Sequence, residues 1–200
     1  MKSALWLAFL AAAGRAVSAA AAPAAWTIDP NHSAAQFTVR HLMVSNVRGE
    51  FGNIRGTIVF DEEDPSKTTI DATIDATTVN TRVTARDDDL KGASFFDVAK
   101  YPTITFRSAS VRPAGPSAFD VSGDLTMHGV TKPVTLRVEA APPVKDPRGN
   151  ERRGAEATTK LSRKEFGVSG DTGIVGDEVR ITIDVEAVRR PDGAAAGSSR

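Results

Sequence analysis

The sequence contains no cysteine, so no disulfide stabilises the fold and no thiolate can complete a metal site. An excess of charge of one sign is also lacking, because 25 Lys and Arg residues face 25 Asp and Glu residues. This balance argues against a surface that binds nucleic acid or an anionic membrane. The chain must therefore rely on a hydrophobic core large enough to fold without covalent links.

Long hydrophobic runs are lacking too, apart from ten residues at positions 4–13. Lys2 precedes this run, and small residues with A-x-A-like spacing follow it. This layout predicts a secretory signal peptide over residues 1–25. The run is too short to cross a bilayer, which takes roughly 20 apolar residues. We therefore expect an exported, soluble protein.

The chain that remains after residue 25 has about 175 residues, which fits a single domain. Without Lys2 and Arg15, 23 basic residues face 25 acidic ones, a net charge of about −2. We place the domain at residues 26–190. Residues 191–200 are small and polar, which predicts a disordered tail.

Apolar residues recur with a period of two, which is typical of β-strands that have one dry and one wet face. The dry-face series are Phe37, Val39 and His41; Ile70, Ala72, Ile74 and Ala76; Ile104 and Phe106; Phe119, Val121, Gly123 and Leu125; Val134, Leu136 and Val138; and Val179, Ile181, Ile183 and Val185. Residues 52–60 and 155–161 add two more strands, which makes about eight.

Helical signals are few and short. Thr84 could cap a turn of helix that runs through Leu90 and stops at Gly92. Ser94 could cap a second one that runs to Lys100, ahead of a proline. Neither covers a sheet, so the strands must bury their dry faces against each other in a barrel or a sandwich. The sequence therefore predicts an all-β fold.

Several dry-face positions carry small residues, namely Ala72, Ala76, Gly123, Ala155 and Ala157. An eight-stranded barrel has room for one ligand when small side chains take the place of large ones along its inner surface. Alternatively, large and small residues interdigitate in a filled core. The pattern alone favours neither alternative.

No catalytic or metal-binding constellation is recognisable. The three histidines, His32, His41 and His128, do not share the short spacings of metal ligands. The run Asp87-Asp88-Asp89 lacks the spacing of a calcium loop. The glycine series from Gly167 to Gly173 follows no parallel strand and reads as a turn. We expect a protein that is not an enzyme and holds no metal.

A series of motifs in fixed order resembles the YceI-like (polyisoprenoid-binding) family. The motifs are Trp26-Thr-Ile-Asp29-Pro-Asn-His32-Ser33, Phe37-Thr-Val39-Arg-His41, Gly49-Glu-Phe51, Arg86-Asp87-Asp-Asp-Leu90, Phe95-Phe96-Asp97, Tyr101-Pro102-Thr-Ile104-Thr-Phe106, Gly123-Asp-Leu125-Thr126-Met-His-Gly129-Val130-Thr131-Lys132, Phe166-Gly167-Val168 and Gly176-Asp177-Glu-Val179. They fall in order over about residues 26 to 187, essentially the whole chain after the predicted signal peptide, and together they make the resemblance specific.

The resemblance implies a lipocalin-like, eight-stranded antiparallel β-barrel with short helices, located in the periplasm or secreted, and often a homodimer. It also implies a polyprenyl or isoprenoid-quinone tail, or a similar long-chain amphiphile, in the lumen. Two departures are Asp89, where the family often has His, and Phe119, where it often has Tyr. Both could alter hydrogen bonding near the polar head of the ligand.

We predict a carrier without a cofactor other than this bound lipid, which serves a membrane redox or lipid-handling partner. The predicted ligand-binding residues are Phe37, Val39, His41, Leu42, Met43, Phe51, Phe60, Ile74, Phe95, Phe96, Phe106, Leu125, Met127, Leu136, Phe166 and Ile183. The alternatives are an enzyme acting on a similar lipid, and a filled barrel that serves in envelope stress or protein interaction without an obligate ligand.

Overall fold

The computed structural model describes residues 24–190. The predicted tail, and all but the last two residues of the predicted signal peptide, lie outside this range. Within it the chain forms strands β1 (Ala24–Ile28), β2 (Ala34–His41), β3 (Ser45–Phe51), β4 (Arg55–Phe60), β5 (Thr69–Asp75), β6 (Thr103–Pro113), β7 (Ala118–Met127), β8 (Val130–Ala140), β9 (Val144–Lys145), β10 (Glu151–Ser162) and β11 (Val175–Arg189), with one α-helix, α1 (Thr84–Lys91). No helix among these residues is long and apolar enough to cross a membrane.

The strands close into an eight-stranded antiparallel barrel, which confirms the predicted fold class. The ring runs β11-β1-β4-β5-β6-β7-β8-β10, and β10 closes it by pairing with β11 over its whole length. Strands β1 and β2 pair with successive parts of β11, so together they occupy one strand position of the barrel, with an interruption between them. Strands β3 and β4 occupy the next strand position in the same way, since β3 pairs with β2 and β4 pairs with β1.

The alternation of side chains explains why these segments form strands. In β8 every second residue is exposed, and the residues between are partly buried along the whole strand. Val134, Leu136 and Val138 pack inside the barrel against buried Val121. Thr135 hydrogen-bonds across the outer face. This division into two faces confirms the pattern in the sequence.

The structure corrects the predicted strand at residues 52–60. That strand begins only at Arg55, because Asn53 has a left-handed φ of 54° and interrupts the extended backbone between β3 and β4. The Thr78 hydroxyl accepts a hydrogen bond from the amide of Gly52 at this break. Strand β3, which precedes it, was not predicted. Ala76 lies beyond β5, in a short 3₁₀ turn.

One of the two predicted helices forms. Helix α1 ends before Gly92, as predicted, but its N-cap is Val83, without a side-chain cap. The second helix, expected from Ser94 to Lys100, is replaced by a series of turns. Asp97, with a φ of 45°, interrupts any helix in this segment. The turns and α1 pack onto one end of the barrel, which we call the capped end.

Candidate ligand-binding site

The barrel encloses a cavity of about 210 Å³, which we call the central cavity. A second cavity of about 80 Å³, the distal lobe, lies towards the end opposite α1. Ile58, Ile70 and Val185 are among the side chains that line both, so the two cavities adjoin. An apolar cavity of roughly 150 Å³ already admits a benzene-sized molecule. The lumen is therefore large enough to accept an apolar guest.

Small residues keep part of this lumen open. Ala72, Ala155 and Ala157 line the central cavity, as the small residues at these dry-face positions predict. Gly123 has a different role, because a Cβ atom there would lie 2.7 Å from the ring of Phe106. The glycine thus accommodates a large neighbour, as in a filled core. Ala76 is buried outside the lining.

Twelve of the sixteen predicted ligand-binding residues line the lumen. Those around the central cavity are Phe37, Val39, Phe51, Ile74, Phe95, Phe96, Phe106, Leu125, Met127, Leu136 and Ile183, and Phe60 lines the distal lobe. At the capped end the aromatic rings pack on one another. The centroids of Phe51 and Phe96 lie 5.1 Å apart, edge to face, and those of Phe37 and Phe51 lie 5.6 Å apart. Contact with a ligand stays a prediction for each of them.

The other four predicted residues lie elsewhere. Leu42 and Met43 form the tip of the turn between β2 and β3, where their exposed fractions are 55% and 70%. His41 is half-buried at the end of β2, beside this turn, and is not part of the lining. Phe166 is fully buried in a 3₁₀ turn and packs in the core of the capped end. These four residues therefore lie outside the cavity lining, and their contact with a ligand stays a prediction as well.

The turn at Leu42 and Met43 has an unusual backbone for its residues. Both have positive φ, 48° and 60°, and the Val44 amide donates to the His41 carbonyl across the turn. This is the type I′ geometry that favours Asn-Gly, and it is strained for Leu and Met.

We expect the double variant Leu42→Asn/Met43→Gly to be more stable by about 1–2 kcal/mol, measured by urea unfolding. The single variant Val44→Asn is the control, since its side chain is 78% exposed and its φ is not positive. It should change stability by less than about 0.5 kcal/mol. An unchanged or less stable double variant would show that the apolar tip contributes contacts to the fold.

The segment between β10 and β11 depends on Arg163, whose role the sequence did not indicate. Its side chain is only 4% exposed and lines the central cavity. Its Nε donates to the Gly176 carbonyl at 2.9 Å, and its Nη1 donates to the carbonyls of Val168 and Gly170, both at 2.8 Å. Its Nη2 donates to the Val175 carbonyl at 3.0 Å. One guanidinium thus holds the backbone that covers this part of the lumen.

Further lining residues were also missed as ligand contacts. They are aliphatic side chains on dry faces or at the capped end, among them Ile28, Ile54, Leu90, Val134, Leu161, Val168, Val179, Ile181 and Val185. The period of two had placed Val134 and the β11 residues on dry faces. It did not indicate Val168, which lies outside the strands. Ile54 fell within the predicted strand at residues 52–60, but the structure places it just before β4.

One cluster brings together His32, Asp29 and Glu186, whose ligand atoms lie within 4.8 Å of one another. Arg152 already occupies this cluster and pairs with both carboxylates. Burial raises the pKa of Asp29, but hydrogen bonds from His32, the Asn31 amide and Arg152 outweigh it and hold the pKa below its usual value. We therefore interpret the cluster as an ion-pair network that ties β10 to the corner after β1.

A closed eight-stranded barrel with an apolar lumen defines this protein as a binding barrel. The sequence model of the YceI-like domain matches residues 26–187, so the chain belongs to the YceI-like family. This confirms the resemblance seen in the motifs. The chain is similar to protein YceI of Escherichia coli O6:H1, with 40% identity over 94% of this chain and 98% of that protein. Protein YceI of Salmonella newport is 39% identical over 81% of this chain and 84% of its own length.

Solved structures show the same barrel. BcnA of Burkholderia cenocepacia superposes with a TM-score of 0.72 at 26% identity, over 80% of this chain and 98% of that one. The YceI protein of Campylobacter jejuni gives a TM-score of 0.67 at 31% identity, over 76% of this chain and 90% of that one. A polyisoprenoid-binding domain of Saccharophagus degradans gives 0.64 over 84% of this chain and 99% of that one. At 15% identity it shows the fold alone.

Proposed function

We propose that this protein is a non-catalytic carrier that holds a polyisoprenoid chain, or a similar long-chain amphiphile, in its lumen. The observation that carries the proposal is the apolar central cavity and the distal lobe that adjoins it. The polyisoprenoid-binding domain of Saccharophagus degradans has the same fold and suggests the ligand class.

The physical chemistry of the lumen favours such a guest. Burying one CH₂-sized group stabilises a complex by roughly 0.8 kcal/mol, and each isoprene unit has about five carbons. Aromatic and aliphatic side chains surround the central cavity on all sides of the barrel. Met127 lies among them, and its flexible thioether side chain can adapt to an irregular guest. A flexible, branched hydrocarbon chain therefore suits this lumen.

We also propose that the carrier acts in the periplasm or outside the cell, and that a membrane redox or lipid-handling partner receives its cargo. The apolar run at residues 4–13 supports export, since it has the length of a signal peptide and is too short for a membrane span.

Native mass spectrometry of the purified protein, followed by organic extraction, tests the carrier proposal. We expect one long-chain isoprenoid or related amphiphile per barrel. Protein that is purified empty should take up a polyprenol or an isoprenoid quinone at a ratio of one to one. An empty protein that takes up neither would contradict the proposal and would favour the filled barrel whose role lies on its outer surface.

A further inference from the structure

Two of the side chains that line the distal lobe, Trp26 and Arg153, carry a buried donor that has no hydrogen-bond partner among the described residues. Arg163 of the central cavity differs from them, because backbone carbonyls accept hydrogen bonds from each of its nitrogens. Trp26 and Arg153 line the distal lobe together with Phe60, Val111 and Phe119. Arg153 is at an inward position of β10, directly opposite Ala187 of β11. Charged residues are rarely buried inside proteins. Arg153 lies at such an inward position, in the lining of the distal lobe.

Both polar side chains carry a buried hydrogen-bond donor without an acceptor. Among residues 24–190, Trp26 Nε1 and Arg153 Nη1 are buried and have no hydrogen-bond partner. The Trp26 side chain is only 1% exposed. A buried indole N–H usually finds a partner, and a buried donor that lacks one destabilises the protein.

The other contacts of Arg153 fix the guanidinium in place without neutralising it. Its Nε donates to the Ala141 carbonyl at 3.1 Å, and its guanidinium carbon lies 4.3 Å from the centroid of the Phe60 ring. The neighbouring cations are different, since Arg152 and Arg189 each pair with a carboxylate. No carboxylate of the described chain pairs with Arg153.

We propose that Trp26 and Arg153 form a binding site for the carboxylate of a long-chain amphiphile, with the hydrocarbon chain running from the distal lobe into the central cavity. This inference rests on the proposed function, because it assumes that the lumen holds the chain. A carboxylate accepts hydrogen bonds from both donors and neutralises the guanidinium. The aliphatic residues shared by the two cavities provide the continuous apolar path.

The test compares two probes that differ only at the head group, hexadecanoate and methyl hexadecanoate. Binding to the purified protein, stripped of lipid on a hydrophobic resin, is measured by displacement of a fluorescent fatty-acid probe. The acid is expected to bind about tenfold more tightly than the ester, because hydrogen bonds to a charged acceptor are stronger than those to a neutral one.

Two variants assign this preference to the proposed site. Arg153→Met should weaken binding of the acid about tenfold and leave binding of the ester within about twofold. Trp26→Phe keeps an aromatic side chain, although a smaller one, removes the N–H and should reduce the preference by a smaller factor. Arg112→Met, a change of an exposed cation on β6, is the control and should leave both affinities unchanged.

The outcomes separate this inference from the proposed function. Equal affinities for acid and ester in the unaltered protein would overturn the carboxylate site and leave the carrier proposal standing. Equal losses for both probes in Arg153→Met would do the same. If neither probe binds to a native protein that still takes up a polyprenol, the carboxylate site fails and the carrier proposal stands. If the native protein also refuses the polyprenol and the quinone, both fail.

Discussion

The substitution Ala155→Phe is expected to weaken uptake of a long-chain lipid by about 30-fold or more, with the barrel still folded. Ala155 lines both the central cavity and the distal lobe, so a larger side chain there obstructs the passage between them. A phenyl ring displaces at least two or three CH₂-sized groups of a guest. Each of these is worth roughly 0.8 kcal/mol of burial.

The fold should tolerate this change because the ring enters existing space. Ala155 pairs with Val185 of β11 and Ala140 of β8, in the regular part of the sheet. Overpacking of a filled core typically costs about 1–3 kcal/mol, whereas a cavity beside the side chain lowers that cost. We therefore expect a change in the free energy of unfolding of less than about 1.5 kcal/mol.

Glu156→Phe provides the matched control on the same strand. Glu156 is exposed on the outer face, where its cross-strand neighbours are Glu139 and Asp184. The same ring is added there without entering the lumen, and uptake should stay within about twofold of the unaltered protein, a difference of less than roughly 0.5 kcal/mol. Titration of a fluorescent polyprenol analogue measures all three proteins. If Ala155→Phe takes up the lipid as well as the control does, the guest does not lie in the lumen.

The sequence predicts the barrel because most of its strands have one buried and one exposed face. The clearest case is β11, where Ile181 and Ile183 were placed on the dry face and line the central cavity. Strand β3 was missed because one of its inward positions is Gly49, where a Cβ atom would lie within 2.8 Å of the Phe37 ring. Because the Phe37 ring fills the space beside Gly49, β3 has no apolar side chain at this inward position, and the alternation that indicates a strand is incomplete.

The candidate site was predictable only where its residues lie in regular strands. Leu42 and Met43 are apolar and follow directly after β2, which lines the lumen, yet both side chains are exposed in the turn. Arg153 was missed for the opposite reason, since a charge at an inward position contradicts the alternation. The predicted strand therefore began at Ala155, although β10 begins four residues earlier at Glu151. Positions that break the pattern are where function is expected to lie.

The substitution Arg163→Met should destabilise the protein by about 3 kcal/mol or more. Arg163 donates to four backbone carbonyls between Val168 and Gly176, and its side chain is almost fully buried. Methionine replaces the aliphatic part of the arginine side chain but has no donor, so the carbonyl acceptors lose their partners. Urea unfolding measures the loss, which should appear as a lower midpoint with an unchanged slope.

Two further variants test whether the donor geometry of Arg163 matters more than its charge. Arg163→Lys keeps the charge, and Arg180→Met is the control for loss of an arginine. Lysine keeps the charge but cannot match the planar fork of five donors, so we expect it to recover less than half of the lost stability. Arg180 is exposed on β11 and its Nε lies 3.7 Å from Glu178, so its loss should cost less than about 0.5 kcal/mol. If Arg163→Met is as stable as Arg180→Met, the segment between β10 and β11 is held by its apolar contacts, with Phe166 and Val168 in the core. If it is destabilised as expected, the hydrogen bonds of one buried guanidinium, and not the apolar contacts alone, stabilise the segment between β10 and β11.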